Sequence, residues 1–259
     1  MSTIIYPSPI FGPVHSRRLG LSLGINLLPS DGKVCSFDCI YCECGLNADH
    51  RPHQPLPTRE EVRQALHERL QQMHQRGEHP DVLTFAGNGE PTLHPHFPEI
   101  IDDTILLRDE LCPQARISVL SNATQIIRPR VHAALMRVDN NILKLDTVNE
   151  AYIHTLDRPQ GTYPLSAIIQ AMKDFRGHLA VQTMFLIGTD ADGNDVSNTD
   201  SCFVQPWLET LQQIAPQQVM IYTIDRETPV STLRKALPAT LDAIAEQVRQ
   251  CGFSCTVAY

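Results

Sequence analysis

Residues 21–42 read LSLGINLLPSDGKVCSFDCIYC. The apolar and alternating part, 21–28, is typical of a β-strand, and the turn-forming run PSDG at 29–32 ends it. Three cysteines follow at once, which places them on a loop directly after a strand. These residues are Cys35, Cys39 and Cys42, and their spacing is C-x3-C-x2-C.

Strand and helix patterns alternate along the rest of the chain. The further predicted strands are 82–86, 117–120, 142–145, 179–185, 218–222 and 254–257. The predicted helices are 58–76, capped by Thr58 in a capping box, and then 97–108, 129–138, 165–175, 200–214 and 239–251. Six or seven βα units in a row predict a parallel sheet with right-handed crossovers. Periodicity leaves open a partial barrel and a doubly wound sheet.

The composition sets limits on organisation and location. No linker or shift in composition divides the chain, so we expect one domain over residues 1–259 with a lead-in at 1–20. There is no apolar run of ~18–20 residues and no signal-peptide pattern, so we expect a cytoplasmic protein without membrane contact. A formal net charge of -8 disfavours a broad nucleic-acid surface.

The cysteine spacing indicates metal ligation. Four of the eight cysteines, Cys35, Cys39, Cys42 and Cys44, lie within ten residues. Three thiolates on a short loop can bind three corners of a cubane cluster and leave the fourth iron open. Zinc is an alternative, with Cys44 or His50 as the fourth ligand. An electron-transfer ferredoxin is a second, although it would need a fourth cysteine for each cluster.

The motifs resemble those of the radical SAM superfamily. Its signature is C-x3-C-x2-C with an aromatic residue before the last cysteine, matched here by Tyr41. Its second motif is GGEP-like, and GNGEP at 87–91 lies after the strand 82–86. The resemblance implies an α/β fold, namely a partial (βα)6 TIM-like barrel with a parallel sheet and outer helices.

Further segments resemble one subgroup of that superfamily. They are FGPVHSRRLG at 11–20, GEPTLHP at 89–95, LSN at 120–122, KLD at 144–146 and RP at 158–159. The subgroup consists of uncharacterised proteins related to the tRNA wyosine-synthesis radical SAM enzymes.

The resemblance also implies cofactors and their ligands. Members hold a [4Fe–4S] cluster, bind S-adenosyl-L-methionine (SAM) at its open iron, and cleave SAM reductively to a 5′-deoxyadenosyl radical. An external electron donor such as flavodoxin or ferredoxin is expected. Glu90 is expected to accept from the methionyl amine of SAM, and Gly87 and Gly89 to allow close backbone approach. Ser121 and Asn122 are expected to meet the ribose or carboxylate of SAM, although turn formation also explains them.

Other candidates follow from their positions at strand ends. Lys144 and Asp146 share one face, so we expect a buried ion pair that orients SAM or substrate, or a purely structural pair. Gln182, on the next predicted strand, is expected to line the adenine or substrate side. Cys44 is a packed residue, an extra thiol near the cluster or a hydrogen-atom donor. Cys251 and Cys255 lack the surroundings of a second cluster, so one cluster is expected.

The substrate end of the site is predicted from geometry. Tyr222, Asp225 and Arg226 come at and after a late strand, and Arg17 and Arg18 precede the first. Surface salt bridges are an equal alternative for these residues. If Arg17, Arg18 and Arg226 face the cavity, they favour an anionic small molecule or peptide as the substrate. The alternatives are tRNA modification, and a metal-binding or electron-transfer module without SAM chemistry.

Overall fold

The computed structural model describes residues 3–16 and 20–259. Its strands are β1 (Ile10–Ser16), β2 (Gly20–Ile25), β3 (Val82–Phe85), β4 (Arg116–Ser121), β5 (Asn140–Lys144), β6 (Ala180–Met184), β7 (Leu186–Gly188), β8 (Gln218–Tyr222), β9 (Leu233–Lys235) and β10 (Cys255–Ala258). Its helices are α1 (Arg59–Gln75), α2 (Phe97–Leu111), α3 (Pro129–Leu135), α4 (Glu150–Leu156), α5 (Leu165–Asp174), α6 (Ser201–Ile214) and α7 (Pro238–Gln250). A 3-10 helix spans Pro91–Leu93.

Eight strands form one sheet whose spatial order follows the chain. The order is β1-β2-β3-β4-β5-β6-β8-β10, and every neighbouring pair in this order from β2 to β10 is parallel. A doubly wound sheet would reverse its order at a switch point. Here the order runs from one edge to the other, so right-handed crossovers bring the helices to one face. The expected α/β fold with a partial barrel is confirmed, as six βα units followed by the strand β10.

Several elements differ from the prediction. The lead-in at 1–20 contains β1, which pairs antiparallel with β2 and shifts register between Phe11 and Val14. The helix α4 and the small ribbon of β7 with β9 were also not predicted. The other boundaries agree to within a few residues. The capping box is confirmed, since Thr58 Oγ1 accepts from the Glu61 amide at 3.2 Å and the Glu61 carboxylate accepts from the Thr58 amide at 2.6 Å.

Among the described residues, the apolar core has three parts. The largest lies between the sheet and its helices and includes Leu83, Phe85 and Trp207. A small group inside the barrel contains Ile142, Ala180 and Met220. A third cluster lies at the carboxyl ends of the strands and joins Ile40 and Tyr41 of the cysteine loop to residues after β5, β6 and β8. This third cluster holds the cysteine loop in position by packing.

No helix in the described ranges is both long enough and apolar enough to cross a membrane.

Candidate cluster and cofactor site

The cysteines lie on the long loop between β2 and α1, at the carboxyl ends of the strands. Val34 forms an isolated parallel bridge with Gly89 of the GNGEP segment. The Val34 amide donates to the Asn88 carbonyl at 2.9 Å, and the Glu90 amide donates to the Val34 carbonyl at 3.0 Å. Backbone hydrogen bonds therefore fix the GNGEP segment, which follows β3, against the start of the cysteine loop.

The middle of the same loop is bound on two sides. The Ile40 amide donates to the Leu156 carbonyl at the end of α4, over 3.0 Å. The Ile40 carbonyl accepts from the Val230 amide, in the segment between β8 and β9, over 3.4 Å. Ile40 is fully buried in the third apolar cluster. The loop geometry is thus set by parts of the chain that lie far apart in sequence.

The three predicted ligands are free thiols that are partly buried. Cys35 Sγ accepts from the Phe37 amide at 3.4 Å and lies 3.5 Å from the side-chain amide of Asn122. Cys39 donates to Asp157 Oδ1 at 3.5 Å. Burial raises the pKa of Cys35 to about 12, and it also raises that of Cys39. Hydrogen bonding by Cys44 lowers the pKa of Cys42 to about 6.

This donor set fits an iron–sulfur cluster. Within residues 3–16 and 20–259, no three His, Cys, Asp or Glu side chains converge closely enough to share one metal ion. A zinc ion would take four N or S ligands, each about 2.0–2.3 Å from it. A cubane takes one thiolate at each of several irons, so its ligands need not meet at a point. Three unpaired thiols on one fixed loop meet that requirement.

Lys33 lies inside the cysteine loop and was not selected from the sequence. Its side chain is 1% exposed, and Nζ lies 3.6 Å from Asp38 Oδ1. Nζ also donates to the Gly45 carbonyl over 2.7 Å. The signal available in the sequence was a basic residue two positions before the first cysteine. Lys33 lies in a loop, so the period of apolar residues does not indicate that its ammonium points inward.

Glu90 is buried in a pocket of hydrogen-bond donors. Oε1 accepts from the Thr92 amide at 3.0 Å, from the Thr92 hydroxyl, and from the Ser121 hydroxyl at 2.9 Å. Oε2 accepts from the Asn122 amide at 2.6 Å. Burial nevertheless raises the pKa of Glu90, against these bonds. The structure therefore brings Glu90, Ser121 and Asn122 together, and leaves Oε2 with the greater spare acceptor capacity.

The two glycines of the motif pack against the protein itself. Gly89 has a φ of +130°, and a Cβ there would lie 2.0 Å from the Val34 carbonyl oxygen. Gly87 has a φ of +138°, and its Cβ would meet the Asn26 side chain at 2.6 Å. Gly89 thus lies close to the cysteine loop, and Gly87 lies close to the end of β2. Approach to SAM stays a prediction for both.

The structure brings Lys144 and Asp146 together as an ion pair, with the Asp146 side chain buried and that of Lys144 13% exposed. Lys144 Nζ donates to Asp146 and to the Tyr41 hydroxyl, and it lies 2.9 Å from Asp157 Oδ1. Tyr41 also donates to Asp146. Burial would lower the pKa of Lys144, but the two carboxylates raise it well above its ordinary value. Asp157 was missed; it directly precedes the RP pair at 158–159, and no local pattern links it to Lys144.

Two cavities open beside these groups. One, of about 260 Å³, is lined by Cys39, Lys144, Tyr222 and Arg226, among others. The other, of about 460 Å³, extends into the barrel along β2, β3 and β4 and is lined by Cys42, Cys44 and Gly87. Gln182 is aligned with Lys144 on the neighbouring strand and is largely buried.

Arg226 lies at the mouth of both cavities. Its guanidinium donates to Glu43 Oε2 at 3.1 Å and to the Tyr6 hydroxyl at 3.3 Å, and 48% of the side chain is exposed. Asp225 pairs with Lys235 at 3.5 Å. Arg17 and Arg18, the other predicted cations at this end, lie outside the described residues.

Cys44, Cys251 and Cys255, the other cysteines considered as ligands, lie in two places. Cys44 is buried, lines the larger cavity, and donates to the Gly87 carbonyl at 3.5 Å. Cys251 follows α7 and Cys255 begins β10, so both lie near the amino ends of the strands. The cysteine loop lies at the opposite, carboxyl ends of the strands.

Comparisons with known proteins agree with the motif assignment. A family model described as "Radical SAM superfamily" matches residues 30–196. A UPF0026 protein of Methanocaldococcus jannaschii is 34% identical over 181 residues, which are 68% of this chain and 53% of that protein. The chain therefore spans about half the length of this relative.

Solved structures share the fold. A radical SAM methyltransferase from Sphaerobacter thermophilus superposes with a TM-score of 0.66 at 16% identity, over 91% of this chain and 65% of that one. A structure of TYW1 with a lysine-pyruvate adduct bound gives a TM-score of 0.59 at 11% identity, over 88% and 73% of the two chains. At these identities the similarity concerns the fold alone.

Proposed function

The chain belongs to the radical SAM superfamily, and on that premise we propose that Cys35, Cys39 and Cys42 hold one [4Fe–4S] cluster beside a SAM site. When bound, the cluster supplies the electron that cleaves SAM to a 5′-deoxyadenosyl radical. The observation that carries the proposal is the fixed loop of three free thiols next to the Glu90 pocket. Residues 1–259 acting as one domain stays a prediction, supported by the single eight-stranded sheet.

Glu90 and its neighbours are proposed to hold the methionyl end of SAM. The carboxylate is fixed by donors from Thr92, Ser121 and Asn122, so its free acceptor capacity points in a set direction. The side chain of Asn122 also reaches Cys35. A ligand bound to Glu90 would therefore lie next to the thiol loop. Gln182 is proposed to contact the adenine side.

Lys144 and Asp146 are proposed to orient bound SAM or substrate. The Lys144 ammonium already faces two buried carboxylates, Asp146 and Asp157, which favours a fixed cation over a group that releases its proton. Its position on the wall of the smaller cavity, which Tyr222 also lines, gives it access to a ligand there. The network links this wall to Cys39 through Asp157.

The substrate is proposed to be an anionic small molecule or peptide. Arg226 lies half exposed at the mouth of both cavities and is paired with Glu43, which neighbours Cys42. An entering carboxylate or phosphate can replace Glu43 as the partner of the guanidinium. The acidic chain disfavours the tRNA alternative, because phosphate contacts require clustered cations. Retention of tRNA at about 150 mM salt tests that alternative.

Anaerobic reconstitution with SAM and dithionite tests the proposed function. We expect about four irons per chain, by the stoichiometry of a cubane, and release of 5′-deoxyadenosine. Serine substitution at Cys35, Cys39 or Cys42 should abolish both. Cys251→Ser and Cys255→Ser are the matched controls and should leave both unchanged. Full iron in the triple loop variant, with loss in the control, would show that the site was placed wrongly.

A further inference from the structure

Lys33 is a buried ammonium whose position is fixed from several sides. Its backbone amide donates to the His50 carbonyl at 2.7 Å, and Nζ donates to the Gly45 carbonyl, also at 2.7 Å. Gly45 comes after the last cysteine of the motif, and Asp38 lies between the first two. The cysteine loop therefore folds around this side chain, which is 1% exposed.

The charge of Lys33 is less neutralised than that of Lys144, the other lysine of the site, whose side chain is 13% exposed. Lys144 faces Asp146 and Asp157, so its own surroundings carry more negative than positive charge. Lys33 has Asp38 at 3.6 Å as its ion-pair partner in the described ranges. The same Asp38 oxygen also accepts from the Asn47 amide at 2.7 Å.

The three proposed ligands lie on the same loop that closes around the Lys33 ammonium. Cys35 is two residues beyond Lys33. Gly45, whose carbonyl accepts from Lys33 Nζ, donates its own amide to the Cys42 carbonyl over 2.9 Å. The three proposed ligands and this one cation are therefore held in a single folded loop. Because the ammonium is buried, solvent and salt weakly screen its interaction with charges on that loop.

A fixed cation affects electron transfer to whatever these thiolates hold. Reduction of a thiolate-bound cluster by one electron increases its negative charge, and nearby positive charge stabilises the reduced state. Charge and hydrogen bonding around the sulfurs are known determinants of cluster potential. On the proposed function, we propose that Lys33 is a positioning residue that raises the reduction potential of the cluster.

The test is a redox titration of the reconstituted full chain, monitored by electron paramagnetic resonance in the absence of SAM. Lys33→Met removes the charge and keeps the side-chain length. We expect the ratio of reduced to oxidised cluster at a fixed potential to fall at least about tenfold, equivalent to about 59 mV for one electron. Lys173→Met, on the outer helix α5, removes the same charge and should leave the midpoint unchanged.

Asp38→Asn supplies a test of opposite sign. It removes the partner carboxylate of Lys33 while keeping an oxygen that can accept from the Asn47 amide. We expect its midpoint to rise. If Lys33→Met fails to retain iron, Asp38→Asn decides: a raised midpoint supports the proposal, and an unchanged or lowered one overturns it. An unchanged or raised midpoint in loaded Lys33→Met overturns it as well. A wild-type chain that assembles no cluster contradicts the proposed function instead.

Discussion

The backbone N–H of Asn122 donates to Oε2 of Glu90 over 2.6 Å. The side-chain amide of Asn122 reaches Cys35 Sγ at 3.5 Å. One residue at the end of β4 thereby touches both the carboxylate of the GNGEP segment and the first cysteine. A shift of Glu90 or of Cys35 should therefore move the other of the two through Asn122 alone.

Glu90→Ala should weaken SAM binding while the cluster stays intact. The change removes a charged acceptor, and a charge-assisted hydrogen bond contributes roughly 1.5–3 kcal/mol, or about 10- to 150-fold in affinity. Anaerobic equilibrium dialysis with labelled SAM measures this. Glu110→Ala, at an exposed position on α2, is the control. Equal SAM affinity in the two variants would move the amine-binding role to another residue.

Gly89→Ala should loosen the cysteine loop. A Cβ would lie 2.0 Å from the Val34 carbonyl oxygen, and the positive φ of 130° costs an L-residue about 1–3 kcal/mol more. We expect lower iron retention and a lower free energy of unfolding in urea. Gly161→Ala is the matched control, because its Cβ meets nothing within 4 Å. Normal iron content in Gly89→Ala would show that the bridge between Val34 and Gly89 is dispensable.

Asp146→Ala should destabilise the fold strongly. It removes one partner of a buried ion pair, which typically costs about 3–5 kcal/mol. The control is Asp102→Ala, which breaks a half-exposed pair with Arg137 and should cost about 0–1 kcal/mol. Urea unfolding of both variants gives the comparison. Similar losses of stability in the two variants would mean that Asp157 alone neutralises the charge of Lys144.

His94 should make the fold less stable in mild acid. Burial lowers its pKa in the folded chain below the unfolded value of about 6.5. The unfolded state therefore binds the proton first, so stability is complete above about pH 6.5 and is lost as the pH falls through the lowered folded pKa. His94→Gln should flatten this dependence in unfolding measurements at several pH values. The matched control is His154→Gln, at an exposed position on α4.

Local patterns predicted much of this fold. The capping box at Thr58 and the strand at 218–222 are set by neighbouring residues and the period of apolar positions, and both agree with the structure. β1 was missed because Pro9 and Pro13 with Gly12 break the strand pattern. Its pairing depends on a register shift around those residues rather than on alternation.

The candidate site was predictable where it rests on motifs. The spacing of the cysteines and the position of Glu90 after a strand placed these groups at one edge of the sheet. The contacts of Asp157 with Cys39 and Lys144 were not predictable, because they depend on how α4 packs against the cysteine loop. The inward turn of Lys33 depends in the same way on loop closure around Gly45.

The double attachment of Ile40 has a consequence for synthesis of the protein. The thiols at 35–42 leave the ribosome early, whereas Leu156 and Val230, which bind the Ile40 backbone, are made much later. A nascent chain that ends before Val230 carries the thiols without their complete scaffold. Contacts so distant in sequence form late in folding. Iron loading should therefore follow translation of β8 and of Val230 beyond it. Shorter nascent chains should expose their cysteines to oxidants.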